Sequence, residues 1–122
     1  MPSIADDEMQ IALATHRARN VELLREMTTK GIKLTEKRLF DVKFCASDQQ
    51  DAALLARELF RMRFFVKLLC LSGERRWIVE ADALVPPSEM LGDQLTEQLV
   101  RLATNCAAVY DGWGTEVDFP HG

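Results

Sequence analysis

The strongest constraint on this chain is the way its apolar residues change period between Arg38 and Phe119. Side chains alternate across a strand and recur about every 3.6 residues along a helix, so a change of period marks a change of element. Phe40, Val42 and Phe44 alternate with Asp41, Lys43 and Cys45, which predicts a strand buried on one face. Ser47 or Asp48 then caps a helix whose Ala52, Leu55, Ala56 and Leu59 share one side. Phe64 to Leu71 is apolar and rich in strand formers. Ser72-Gly73-Glu74 turns the chain, and Arg75 to Asp82 alternates again through Trp77, Val79 and Ala81, completing a hairpin.

Pro86-Pro87-Ser88 ends the extended chain and starts a second helix, with Ser88 as cap and Glu89 in its first turn. Leu91, Leu95, Leu99, Leu102 and Cys106 give that helix one long apolar stripe. After a turn at Asp111-Gly112, Thr115, Val117 and Phe119 alternate with Glu116 and Asp118 as a last strand. The order strand-helix-strand-strand-helix-strand is that of the split β-α-β arrangement, an antiparallel sheet with two helices on one face. The pattern therefore predicts an α+β, ferredoxin-like fold.

An additional helix precedes these elements. Residues 6–30 carry Ile11, Ala14, Ala18, Val21 and Leu24 at three- and four-residue steps, with Asp6 and Asp7 as N-caps and Lys30-Gly31 at the end. A break near Asn20 would divide it into two shorter helices. The expected organisation is a helical segment over residues 1–34 and a ferredoxin-like domain over residues 35–122, forming one globular unit.

The chemistry-bearing residues are sparse. His16 and His121 are the only histidines, and no nucleophile, base and orienting group fall together, so no catalytic residue is assigned. Cys45, Cys70 and Cys106 are odd in number and widely spaced, which predicts buried, reduced thiols rather than a disulfide framework or a metal site. Gly112-x-Gly114 is too short for a dinucleotide fingerprint and precedes a strand, so no cofactor is expected. Arg75-Arg76-Trp77-Ile78-Val79 only faintly echoes the aromatic RNA-binding strands of some ferredoxin-like domains. The net charge of −4 further disfavours direct nucleic-acid binding.

That charge is unevenly spread. From Arg57 to Arg76 there are six basic residues and two acidic ones, whereas Val79 to Gly122 has one basic and eight acidic. The acidic third could dock on a basic partner. No apolar run approaches the roughly 18 residues that cross a bilayer. The acidic N-terminus does not resemble a signal peptide, and a cytoplasmic location is the expectation.

The most unusual local feature is Asp111-Gly112-Trp113-Gly114, in which glycines on either side of a tryptophan allow a sharp backbone path around a large ring. Such a tryptophan either plugs the end of the core or anchors a partner. The longer run Tyr110-Asp111-Gly112-Trp113-Gly114-Thr115-Glu116-Val117 resembles the terminal signature of the B-type regulators of ribonuclease E activity. Val21 to Met27 leading into Lys30-Gly31, then Arg38 to Phe44, is similar to that family's helix, glycine turn and first strand, and Leu95 to Leu99 is a looser match on the last helix. Where the family often carries glycines ahead of the signature, this chain has Asn105-Cys106-Ala107-Ala108-Val109.

The resemblance implies a non-enzymatic bacterial protein that binds ribonuclease E through the nuclease's non-catalytic C-terminal region and inhibits RNA cleavage. Tyr110, Asp111, Gly112, Trp113, Gly114, Thr115, Glu116 and Asp118 form the family motif, and the acidic members beside Trp113 are the expected partner contact. A second reading is a homodimeric ferredoxin-like domain with a small ligand between helices and sheet. In it, Phe65, Leu69 and Leu71 would line an uncovered face of the second strand.

Overall fold

The structure is a computed structural model that describes residues 4–115, with side chains from Asp7 onward. Helix α1 spans Ile4–Thr29, strand β1 Arg38–Ala46, helix α2 Gln49–Arg61, strand β2 Phe65–Leu71 and strand β3 Trp77–Val85. The short helix α3 (Pro87–Met90), helix α4 (Asp93–Asn105) and strand β4 (Ala108–Thr115) complete it. The strands form one antiparallel sheet in the order β2-β3-β1-β4, so the architecture is α+β with an open four-stranded sheet.

Strand β1 follows its sequence pattern closely. Phe40, Val42, Phe44 and Ala46 are buried, while Asp41, Lys43 and Cys45 are only half-buried on the opposite face. Val79, Ala81 and Ala83 of β3 lie opposite Phe44, Val42 and Phe40, extending the same buried side. Helix α2 presses Ala52, Leu55 and Leu59 onto it, and α4 adds Leu99, Val100 and Ala103. The Asp48 carboxylate caps α2 by accepting from the Asp51 amide at 2.8 Å, choosing between the two caps the sequence offered.

Four expectations need correction. Helix α1 is continuous through Asn20, and it presents a different face from the stripe expected of it. Ile11 and Val21 are 68% and 60% exposed, whereas Leu13, Asn20 and Met27 are buried. Proline rather than Ser88 begins α3, which Leu91 and Gly92 separate from α4, so the expected single helix is two. A Cβ on Gly92 would sit 3.0 Å from the Ser88 carbonyl oxygen, so glycine permits that tight junction. Of the cysteines only Cys106 is buried, because Cys45 and Cys70 occupy positions whose side chains alternate away from the core.

The fourth correction concerns the hairpin's first strand. A register shift between Val66 and Leu68 makes Lys67 a bulge residue, so Phe65 pairs with Asp82 but Leu69 and Leu71 pair with Val79 and Trp77. Phe65 and Leu69 therefore lie on opposite faces of β2 rather than on one. Val117 and Phe119, expected in the last strand, lie outside the described residues.

Helix α4 ends at Cys106, and the next residue, Ala107, holds φ at 49°. That is the left-handed position after a helix where glycine is favoured, and where a Cβ costs energy. Ala107→Gly is expected to raise stability by about 1 kcal/mol, the relief of Cβ strain less the extra freedom of glycine in the unfolded chain. A urea midpoint that rises with an unchanged slope would show it.

Candidate functional site

The Tyr110–Thr115 segment does not turn at Asp111-Gly112 but runs as β4 along β1. Val42 pairs with Trp113, Lys43 with Gly112 and Phe44 with Tyr110, leaving Asp111 as an extra residue in a β-bulge. In a regular strand, residues three apart face opposite sides. The bulge cancels that, and both Tyr110 and Trp113 face the helices. Gly112 supplies the backbone this requires, with φ at 114°, a region L side chains rarely adopt. Gly114 leaves room instead for Asp41, whose Oδ1 would lie 2.9 Å from an added Cβ.

The two rings meet α1. Tyr110 is buried against Phe44 (ring centroids 5.0 Å apart) and His16 (4.6 Å). Trp113 meets Phe40 edge-on at 5.3 Å, and its Nε1–H donates to Asn20 Oδ1 at 3.0 Å. Asn20 Nδ2–H donates in turn to Thr96 Oγ1 at 2.9 Å, and the Thr96 hydroxyl donates to the Gly92 carbonyl at 2.9 Å. Asn20 and Thr96 are 5% and 2% exposed, so this chain of bonds satisfies polar groups that burial would otherwise penalise. It links β4, α1, α4 and the α3–α4 junction. Arg17 adds an ion pair from α1 to Asp93 at 3.3 Å.

His16 is held by the same seam. Its Nε2 lies 3.0 Å from the Tyr110 carbonyl, which can only accept, so this nitrogen carries the hydrogen. Burial lowers the imidazole's pKa below its ordinary 6.5, with Arg19 pushing the same way, while the carbonyl bond and Asp111 oppose them. Burial also pushes the Tyr110 phenol upward. His16 serves as a fixed donor to backbone, and no metal-binding cluster of His, Cys, Asp or Glu occurs among the described residues.

Beside Trp113 lies a groove of about 220 Å³ with a floor of Leu23, Met27, Ile32 and Trp113 and a rim that includes Arg19 and Glu26. Trp113 thus closes the core along one edge and lines a surface groove along another. Thr115 also borders the groove, and its hydroxyl donates to the Leu39 carbonyl at 2.7 Å. Asp111 lies on the other side of the sheet, 4.0 Å from Lys43 Nζ, so it does not share a surface with the groove. Glu116 and Asp118 lie outside the described residues.

Sequence reasoning missed Asn20, Thr96 and the role of His16. A seven-residue spacing through Leu13, Asn20 and Met27, interleaved with His16 and Leu23, was present in the sequence. Polar members concealed it, because a core stripe is sought among apolar residues.

The family model for regulator of ribonuclease activity B matches residues 17–115. No curated protein sequence matches the chain. The matched span takes in Asn20, Thr96 and Trp113, the three side chains of the buried polar chain.

Two outcomes follow from this geometry. Trp113→Phe keeps an aromatic ring but removes the indole Nε1–H, leaving Asn20 Oδ1 without its donor, and is expected to cost about 1–3 kcal/mol in urea unfolding. Combined with Thr96→Val, it should depart from additivity by about 0.5 kcal/mol or more, since both act through Asn20. The second outcome is a pH dependence. Folding disfavours the His16 cation, so its contribution is fully present above pH 6.5 and declines as pH falls below that value. His16→Gln cannot titrate, and the stability difference between native chain and variant, measured from pH 7.5 to 5 or so, should shift against the native chain as acid is added.

Proposed function

The chain belongs to the regulator of ribonuclease activity B family, and on that premise we propose that it is a non-enzymatic interaction module that binds a ribonuclease and lowers RNA cleavage. Ribonuclease E is the target this reading names, and the bacterial cytoplasm is the compartment. The observation that carries the proposal is the family match over residues 17–115, which takes in Asn20, Thr96, Tyr110 and Trp113 of the α1–β4 seam described above, with His16 immediately before it.

The strand order β2-β3-β1-β4, with α2 and α4 packed against the buried side, supports reading the fold as ferredoxin-like. The packing of α1 along α4, through Arg17–Asp93 and Asn20–Thr96, supports treating residues 1–34 and 35–122 as a single unit. Among the described residues no helix is long and apolar enough to cross a membrane.

Within the motif the residues divide by task. Tyr110, Gly112 and Gly114 shape β4 against α1 and β1, and Trp113 with Thr115 presents a surface to the groove. The contact we propose is this groove, where Trp113 and its aliphatic neighbours, bordered by Arg19 and Glu26 of α1, offer an apolar anchor with charges of both signs at its rim. Glu116 and Asp118 form the acidic component of the same reading, and Asp111, on the other face of the sheet, adds an acidic contact separate from the groove.

Adding the purified chain to ribonuclease E cleaving a fluorogenic RNA is expected to lower the initial rate in a saturable way. Arg19→Glu with Glu26→Arg reverses the rim on exposed side chains. That variant should raise the concentration needed for half-inhibition about tenfold, with the urea midpoint lowered only by the loss of the exposed Glu26–Lys30 ion pair. Unchanged cleavage at a large excess of the folded chain would refute the reading.

A further inference from the structure

We propose that the outer edge of β2 is a second docking surface, which accepts an extended, acidic segment of a protein partner as an added strand. Strand β2 lies at the end of the sheet, with β3 on one side and no strand among the described residues on the other. An edge strand presents unpaired amide and carbonyl groups that can template another strand. Proteins usually guard such edges with charge, but six of the seven residues of Phe65–Leu71 are apolar. Phe65 is 70% exposed and Leu71 54%, and Phe60 on the adjoining helix α2 is 74% exposed.

The single charge, Lys67, is drawn away from guarding the edge. It occupies the bulge, and its ammonium group reaches Asp82 Oδ1 on β3 at 2.9 Å. That hydrogen bond is also the first reason its pKa rises. The edge therefore remains open along a run of apolar side chains.

Charge selects the occupant. The segment from Arg57 to Arg76 carries six basic and two acidic residues, while the rest of the chain carries nine basic and seventeen acidic. Arg57 and Arg61 are held by Glu58, at 3.8 and 3.1 Å. Arg63 precedes β2, and Arg75 and Arg76 follow it across the hairpin turn; all three are exposed. Arg63 and Arg75 hold φ at 69° and 62°, in the left-handed region that favours glycine. Each end of the edge thus carries cations, and an added strand with acidic ends would match both.

The same distribution argues against a second copy. Pairing β2 antiparallel with itself would bring Arg63 of one molecule beside Arg75 and Arg76 of the other, a like-charge contact at both ends. The inference rests on reading the chain as a partner-binding module. It concerns the partner's chemistry and leaves the nuclease's identity open.

Selection of random twelve-residue peptides displayed on phage, against the full chain, tests it without any nuclease. A failed cleavage assay would leave this surface standing, and a failed selection would leave the nuclease reading standing. Enriched peptides are expected to be net negative, with strand-forming centres and Asp or Glu near the ends. A synthetic copy should slow amide exchange within Phe65–Leu71. Its affinity should fall about tenfold or more in Arg63→Glu/Arg75→Glu/Arg76→Glu, a variant of exposed residues whose circular dichroism should match the native chain. If that variant misfolds, Leu69→Glu, on the strand itself, should abolish binding instead. Several results would overturn the proposal: no enrichment, neutral or basic binders, or protection confined to other elements. Tighter binding of polyuridine at the same arginines would overturn it too, as would a dimer that buries β2.

Discussion

The buried hydrogen-bond chain from Trp113 through Asn20 and Thr96 to the Gly92 carbonyl is the interaction on which the rest of this structure depends. An apolar helix face is held by area and can slide, whereas a buried amide with both an NH2 and a carbonyl group to satisfy has few acceptable positions. Asn20 therefore fixes α1 in both rotation and height, which in turn places His16 over Tyr110 and Arg17 beside Asp93. It also explains how α1 can leave Ile11 and Val21 in solvent without losing its seat.

The sheet is thereby given two unlike borders. Along β4 the edge is rich in glycine and aromatic residues and lies beside α1, with a shallow groove where Trp113 emerges. Along β2 the border is aliphatic and framed by arginines. Between them, the face away from the helices carries Asp41, Lys43 and Asp82 among half-buried neighbours, and a charged furrow of about 410 Å³ that includes Lys67. A module with such different borders can engage two segments of one partner, and modest contacts joined in one chain gain affinity through effective concentration.

Much of this fold was legible in the residues, for identifiable reasons. Strand β1 and helix α2 were read correctly because their buried positions are all apolar and their exposed positions mostly are not. Helix α1 was found but turned the wrong way, since its buried face spends two positions on His16 and Asn20. The glycines near Trp113 suggest a turn because positive φ is commonest there, but a bulge uses the same conformation inside a strand. The motif itself is recognisable as a unit, yet Trp113 bonds to Asn20 across 93 residues of chain, and Asn20 to Thr96 across 76. No local pattern encodes such pairings.

The bulge at Asp111 also sets a rule about length. With it, the three-residue step from Tyr110 to Trp113 keeps both rings on the helix side of the sheet; in a regular strand the same step would split them. Removing one residue between the two aromatics would yield a flawless ladder with the rings still on one side. The indole would keep its place opposite Val42, and only the local bend and twist that the bulge adds would be lost. Adding a residue would send one ring into solvent. Side-chain identity at Asp111 matters less to this geometry than the number of residues there, so the segment counts as well as spells.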